Sequence, residues 1–402
     1  VERIRSLFRG SFLILLPGFL LLGTGCRTRT PGGRGLGPTA LQQAAQPYAP
    51  EERLNVGVEV FDPGDVSAAT LASQHSNAEI RKSETYFMPL HLKNTLDRSG
   101  HWGEVRVVPP GAQGLDLIVR ATILHSNGER LTLRVRAEDS QGLLWLNRDY
   151  NEVGNQRAYT ESVRGSIDPF QNLYNAIAND LASVRRRLDG FEVKTLRRTT
   201  EMAFAAELVP AAFSDYVQVH PDGRRDVIRL PAENDPAWMR VEQIATRNEL
   251  FYDALHGTFE PFYLRMWPSY QEWRGYNLVE QTAIREAKRD SLKQTAAGII
   301  MIATAILLEV NDVKGSSTLR DVLVLGGAQV LINGINISAR TEMHLETLRE
   351  LADSFGSEAR TVTVQLEGQT VTLTGNVEQQ MRQWRELLRR LHEAENAPMD
   401  LP

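Results

Sequence analysis

The chain reads as an α+β protein: a small α/β sandwich domain, then a larger helical domain with a long helical hairpin, then a carboxy-terminal ββα unit. Three observations predict this. Apolar and polar residues alternate in successive short runs between residues 54 and 153, the period of half-buried strands. Beyond residue 190 apolar residues recur at spacings of three and four, the period of amphipathic helices. Alternation returns around residues 362–373, directly before a strongly striped helix.

Bulk composition narrows the class. With 402 residues there is material for two or three domains. A net charge of −5 argues against a nucleic-acid partner. The run Arg185, Arg186, Arg187 reads as a solvated helix end rather than a binding patch. Cys26 is the only cysteine, so no disulfide can form within the chain and the fold must rest on buried cores.

The first element is a targeting segment. Residues 1–25 run from basic (Arg3, Arg5, Arg9) through the apolar "SFLILLPGFLLL" to the small residues Gly23, Thr24 and Gly25, the layout of a signal peptide. The apolar run is shorter than the ~20 residues that span a bilayer as a helix. Small residues followed at once by Cys26 resemble a lipobox, the signal of bacterial lipoproteins. The resemblance implies cleavage before Cys26 and acylation of its sulfur and new amino group. Arg27 follows where an inner-membrane retention signal would place aspartate, so the resemblance implies the outer membrane, with the body on its periplasmic face. An ordinary signal peptide with an incidental cysteine is the alternative. Residues 26–52, rich in Gly, Pro, Gln and Ala, read as a flexible tether.

An α/β domain is expected over 53–190. "LNVGVEVF" alternates as a strand, and "MPLHLKNTLDRSG" fits a helix with Pro89 near its first turn and Gly100 beyond its end. "WGEVRVVP" is a second strand. "LDLIVRATILH" and "RLTLRVRAED" form a hairpin about Asn127-Gly128, residues that tolerate positive φ. "SQG" turns the chain into "LLWLNRDYNEV", and a helix over 168–188 closes the unit with Leu173, Ile177, Leu181 and Val184 on one face. The stretch "LDLIVRATIL…LTLRVRAEDSQGLLW" resembles a periplasmic lipoprotein superfamily. That group includes the curli secretion channel, the TolB amino-terminal domain and activators of peptidoglycan synthases. The resemblance implies a scaffold or partner-binding role and carries no catalytic residues across.

A helical domain is expected over 191–357. It begins with a helix interrupted at Pro210 and a small hairpin about Asp222-Gly223. From Pro236 an amphipathic segment runs into the aromatic residues Phe251, Tyr252, Phe259, Phe262, Tyr263, Trp267, Tyr270, Trp273 and Tyr276. Spacings near three and four favour a packing core over a glycan platform or interfacial belt. The apolar hairpin 295–337 carries small residues, Gly298 and Gly327 among them, that permit close helix approach. Gln329, Asn333 and Asn336 share one of its faces. At 1.5 Å per residue its arms are about 21 and 24 Å long, short of a ~30 Å hydrocarbon core. The hairpin can be a core element, an oligomer interface or a pore face, and the length argument favours core.

The last unit, 358–402, combines a strand hairpin with a helix capped by Asn376 and Gln379. "GQTVTLTGNVEQQ" resembles part of a BON domain, a periplasmic module associated with membranes and envelope pores. No HExxH, GxSxG or Walker sequence is present, and the eight histidines are scattered. No catalytic residue, cofactor or metal is therefore expected; His256, beside the aromatic cluster, reads as a structural histidine. The expectation is a non-enzymatic, lipid-anchored envelope scaffold that binds the membrane through Cys26 and acts with copies of itself or with protein partners. A subunit of an oligomeric secretion channel, and a cell-wall enzyme or its activator, are the alternatives.

Overall fold

The computed structural model describes residues 38–159, 167–293, 346–351, 353–355, 361–366 and 369–396. The α+β class is as expected: a five-stranded mixed sheet and a larger helical region built on one long helix. The sheet comprises β1 (Val56–Glu59), β2 (Val105–Val108), β3 (Leu117–Ser126), β4 (Arg130–Asp139) and β5 (Leu144–Val153), in the order β2-β1-β3-β4-β5. β1 pairs parallel with both β2 and β3, and β3, β4 and β5 form an antiparallel meander. Alternation decides its two faces. Leu117, Val119, Ala121 and Ile123 on β3 and Leu131, Leu133, Val135 and Ala137 on β4 point into the core. Arg120, Arg134 and Arg136 stand on the opposite face.

After the short α1 (Ala68–Ser73), α2 (Ala78–Ser99) connects β1 to β2. It begins earlier than its sequence suggests, because Asn77 caps it by accepting from the Ile80 N–H at 2.8 Å. Pro89 therefore sits mid-helix, where it cannot bond the Thr85 carbonyl. That carbonyl accepts from the Phe61 N–H at 3.0 Å instead, so the proline break is stitched to the chain just beyond β1. Gly100 ends the helix in the left-handed region, as expected.

α3 (Gln171–Arg185) packs against β5, and α4 (Gly190–Leu208) starts at a capping box formed by Asp189 and Glu192. Pro210 separates α4 from α5 (Pro210–Phe213), and β6 (Val217–Val219) pairs with β7 (Arg225–Val227) about Gly223. α6 (Pro236–Lys293) is continuous over 58 residues, about 87 Å of helix. Pro261 and Pro268 lie inside it on exposed positions. The carbonyls they leave free belong to Gly257 and Leu264, also exposed, where water can bond them. The buried side runs Val241, Ile244, Phe251, Leu255, Phe259, Phe262, Met266 and Tyr270. Phe251, Tyr252, Phe259, Phe262, Tyr270 and Trp273 are buried, so these six of the nine aromatic residues are core, while Tyr263, Trp267 and Tyr276 are half-buried.

β8 (Thr361–Leu366) and β9 (Gln369–Thr374) form the expected carboxy-terminal hairpin, followed by α7 (Val377–Asn396). Asn376 and Gln379 make the reciprocal cap, each bond 2.8 Å. α7 docks on α6 through Trp384, which stacks on Phe251 at 5.1 Å and donates to Asn248 Oδ1 at 3.1 Å. The segments read as 53–190, 191–357 and 358–402 share one buried cluster from Leu54 to Leu388.

Two expectations need correcting here. Residues 38–52, read as the second half of a flexible tether, are bonded to the body: Ala44 N–H donates to the Ser99 carbonyl, and Asn175 and Asn179 donate to the carbonyls of Thr39 and Ala40. Of the arginine run, Arg186 and Arg187 are exposed at the end of α3 as expected, but Arg185 is not solvated: it is buried, donates to the Glu52 carbonyl at 2.6 Å and lies over the Tyr48 ring. The hairpin 295–337 lies outside the described residues.

The Asn127-Gly128 turn forms for a different reason than expected, since neither residue adopts a positive φ. Asn127 Oδ1 closes it by accepting from the N–H groups of Glu129 and Arg130. Glycine is required at 128 because a Cβ there would lie 1.9 Å from the Arg274 carbonyl of α6. Helix backbone cannot yield as a side chain can, so Gly128→Ala should cost about 1–3 kcal/mol. Urea unfolding of the variant checks this; a midpoint equal to the parent's would mean that the helix and hairpin do not meet.

Candidate functional site

The main cleft lies where β1 ends. β1 leads through α2 to β2 on one side and has β3 on the other, a switch in strand order of the kind that opens a crevice at the carboxyl ends of parallel strands. The cleft has a volume of about 820 Å3 and reaches from Lys82 and Tyr86 on α2 across Glu59 and Asp62 to the polar sheet face. Arg120 and Arg136 stand directly opposite one another on β3 and β4. Like charges in that register repel. Each is drawn to a carboxylate instead: Arg120 to Glu59 at 3.1 Å, Arg136 to Glu138 at 2.6 Å. Arg134 forks onto its cross-strand neighbour Asp149 at 2.8 and 3.0 Å, and that bonding holds the Asp149 carboxyl below its usual range. The face is thus an open ladder of paired ions beside the cleft.

A smaller cavity of about 200 Å3 gathers Asp116, Glu201, Glu242 and Glu249 around Arg197 and Trp238. Burial pushes the Asp116 and Glu201 carboxyls up. Asp116 is nevertheless bonded, accepting from Thr200 Oγ1 at 2.6 Å and the Asn55 N–H at 2.8 Å, which ties α4 to the start of the sheet.

A second group of ionisable side chains is sealed in the core. Arg274 of α6 is fully buried and donates from Nη1 to Asp168 Oδ2 at 2.7 Å. Gln271 donates to the same oxygen, and the Phe170 N–H donates to Oδ1 at 2.8 Å. The guanidinium carbon lies 3.9 Å from the Tyr270 ring centroid and 5.1 Å from that of Phe170, so aromatic faces supply the rest of the cation's surroundings. Burial alone would raise the Asp168 carboxyl; Arg274, with further help from the Phe170 N–H, outweighs it and holds the group low. Glu84 of α2 accepts from Arg81 at 3.2 Å and from the hydroxyls of Ser126 and Tyr270. These bonds join α2, β3, the entry to α3 and α6 at one place.

Beside them, burial keeps His91 neutral. Gln171 donates through Nε2 to Thr95 and Asn175, leaving Oε1 to accept from His91 Nε2 at 3.0 Å; Nδ1 then accepts from the Tyr263 hydroxyl at 2.8 Å. Burial, aided by Arg130 and Arg81, pushes His125 down to about 4.

Cys26, Gln329, Asn333, Asn336, Gly298 and Gly327 lie outside the described residues. His256 stands on α6 with Nε2 3.8 Å from Glu260 and does not line the main cleft. Among the described residues no group of three or more His, Cys, Asp or Glu side chains is placed to hold a metal ion, and no helix is long and apolar enough to cross a membrane. Sequence reading passed over Glu84, Asp168 and Arg274. Arg274 carried one usable signal: it falls on the apolar stripe of α6, one turn beyond Tyr270, where a charge must be buried. These features define an α+β protein with a polar sheet face and an ion-clamped core. Comparison of the chain with protein-family models, curated proteins and solved structures found no match.

Asp168→Asn leaves the Arg274 charge buried without its counter-ion and should cost about 3–5 kcal/mol, while Asp168→Asn combined with Arg274→Met should recover part of that. Because Asp168 titrates lower folded than unfolded, its contribution is present above about pH 4 and lost on further acidification. Urea titrations between pH 5 and 2 should show this limb reduced in Asp168→Asn. His125 acts over a higher window. The unfolded chain binds its proton near pH 6.5 and the folded one only near 4, so stability falls as pH drops between those values. Replacing it by His125→Gln should flatten the stability profile from pH 6.5 to 4, and an unchanged slope there would show that the ring is not held neutral.

Proposed function

We propose that this chain is a lipid-anchored, non-enzymatic scaffold of the bacterial envelope. Acyl chains on Cys26 fasten it to the periplasmic face of the outer membrane, and its body binds protein partners or further copies of itself. The observation that carries the reading is the division of labour among charges. The sealed ionic groups, Asp168 with Arg274 and Glu84 with Arg81, join structural elements, whereas the ionic ladder of Arg120, Arg134 and Arg136 stands open. A rigid body with an exposed polar face suits binding and positioning. The lipobox-like "LLGTGC" supplies the attachment, since several acyl chains at about 0.8 kcal/mol per buried methylene hold a protein stably where one chain does not.

Intact-mass measurement of the native product tests the anchor. The expected result is a chain beginning at an acylated Cys26, with Cys26→Ala moving the protein from the membrane to the soluble fraction. A bare cysteine, or a leader still attached, would sink the reading.

A further inference from the structure

We propose that residues 39–53 are a latch that sets how far the body stands from its anchor. The proposal rests on the lipid-anchor reading of Cys26. Three asparagines of α3, Asn172, Asn175 and Asn179, fall on one side of the helix and bond the main chain of the strap. Asn172 Oδ1 accepts from the Thr39 N–H at 3.1 Å, and Asn175 Nδ2 donates to the Thr39 carbonyl at 2.8 Å. Asn179 serves two residues: its Nδ2 donates to the Ala40 carbonyl and its Oδ1 accepts from the Gln42 N–H, each at 2.8 Å. A side-chain amide offers one donor and one acceptor group, which lets a short row of them hold an extended chain as a neighbouring strand would.

The hold continues past the row. Arg186 donates to Gln42 Oε1 at 2.9 Å, and the Ala44 N–H donates to the Ser99 carbonyl at 2.8 Å. Buried Arg185 closes the far end, with its guanidinium 4.2 Å from the Tyr48 ring centroid and a 2.6 Å bond to the Glu52 carbonyl. Nearly every one of these bonds goes to strap backbone, so a sequence with little to bury is still gripped.

The consequence is a length. From Cys26 to Thr39 is thirteen residues, at most about 45 Å of extended chain, whereas freeing the strap as far as Leu54 would allow about 95 Å. The latched body is confined near the membrane, and the unlatched one reaches roughly twice as far. The bonds are polar, partly exposed and carry little apolar burial beyond Leu41, so this segment belongs to the part of the structure that opens before the core does.

The full lipidated chain in phosphatidylethanolamine–phosphatidylglycerol vesicles tests this. With Cys26 acylated, an added Asp222→Cys is the one thiol free for a donor dye, and acceptors ride on the lipid headgroups. Hydrogen exchange should show Thr39 and Gln42 amides slowed at least about tenfold against free chain. In the Asn172→Ala/Asn175→Ala/Asn179→Ala variant that protection should vanish and, with the chain freed as far as the Ala44 bond to Ser99, about 60 Å of extended chain from Cys26, energy transfer to the bilayer should fall. Gln42→Pro removes a strap donor while leaving α3 untouched; if the triple variant proves unstable, the remaining Thr39 amide of Gln42→Pro should exchange faster and its energy transfer should fall. Fast exchange at Thr39 and Gln42 in the parent overturns the latch, as does unchanged transfer once their protection is lost. Failure to bind vesicles, with Cys26 bare by mass, overturns the anchor and the reach together, while the exchange result still reports the strap itself.

Discussion

The structure turns on one buried ion pair. A guanidinium in a dry interior needs a counter-charge and correctly aimed acceptors, and removing its partner is far more costly than never having had the charge. Arg274 finds its counter-charge at Asp168, bonded through Nη1 while Nε and Nη2 have no acceptor among the described residues, and the requirement propagates outward. Asp168 precedes α3, so α6 must pass close to that junction. The Arg274 carbonyl in turn crowds the β3–β4 turn so tightly that only glycine fits at 128. Tyr270, one turn back, both lies against the cation and donates to Glu84, which is bound to Arg81. The long helix is therefore held by directional contacts as well as by its apolar stripe.

That arrangement gives the sheet two different roles. Its inner face, with α2 and α3, is closed by aliphatic side chains and by the rings of Phe87, Phe170 and Tyr174. The outer face stays polar because Arg120, Arg134 and Arg136 each find a carboxylate within the sheet. Pairing removes the repulsion between neighbouring arginines without burying them. The result is a stable, open surface beside a cleft, on a body whose internal charges are already committed to holding it together.

The strap adds a mechanical element to this body. Most proline- and glutamine-rich segments are treated as spacers because they have too little apolar surface to offset the entropy of ordering. Here most of the complementary groups belong to α3 and its C-terminal arginines, so the strap contributes chiefly peptide groups, with side-chain contacts from Leu41, Gln42 and Tyr48. Binding mainly by main chain makes the grip depend more on the row of amides opposite than on the composition of the strap.

Much of the architecture was legible in the residues. Alternation located the strands, the 3.6-residue stripe identified α3, α6 and α7, and Asn376 with Gln379 announced the last helix. Those signals are local, since strand alternation, helical periodicity and capping depend on neighbours a few residues apart. Three features were decided only in the folded molecule. Pro89 could stand mid-helix because Phe61, distant in sequence, took up the freed carbonyl. Residues 38–52 became ordered because asparagines more than a hundred residues away met their backbone. The charges of Glu84, Asp168 and Arg274 became structural because packing brought them together in the absence of water. Each depends on a partner remote along the chain, and a hydrogen-bonding group carries no mark in sequence of the partner it will find.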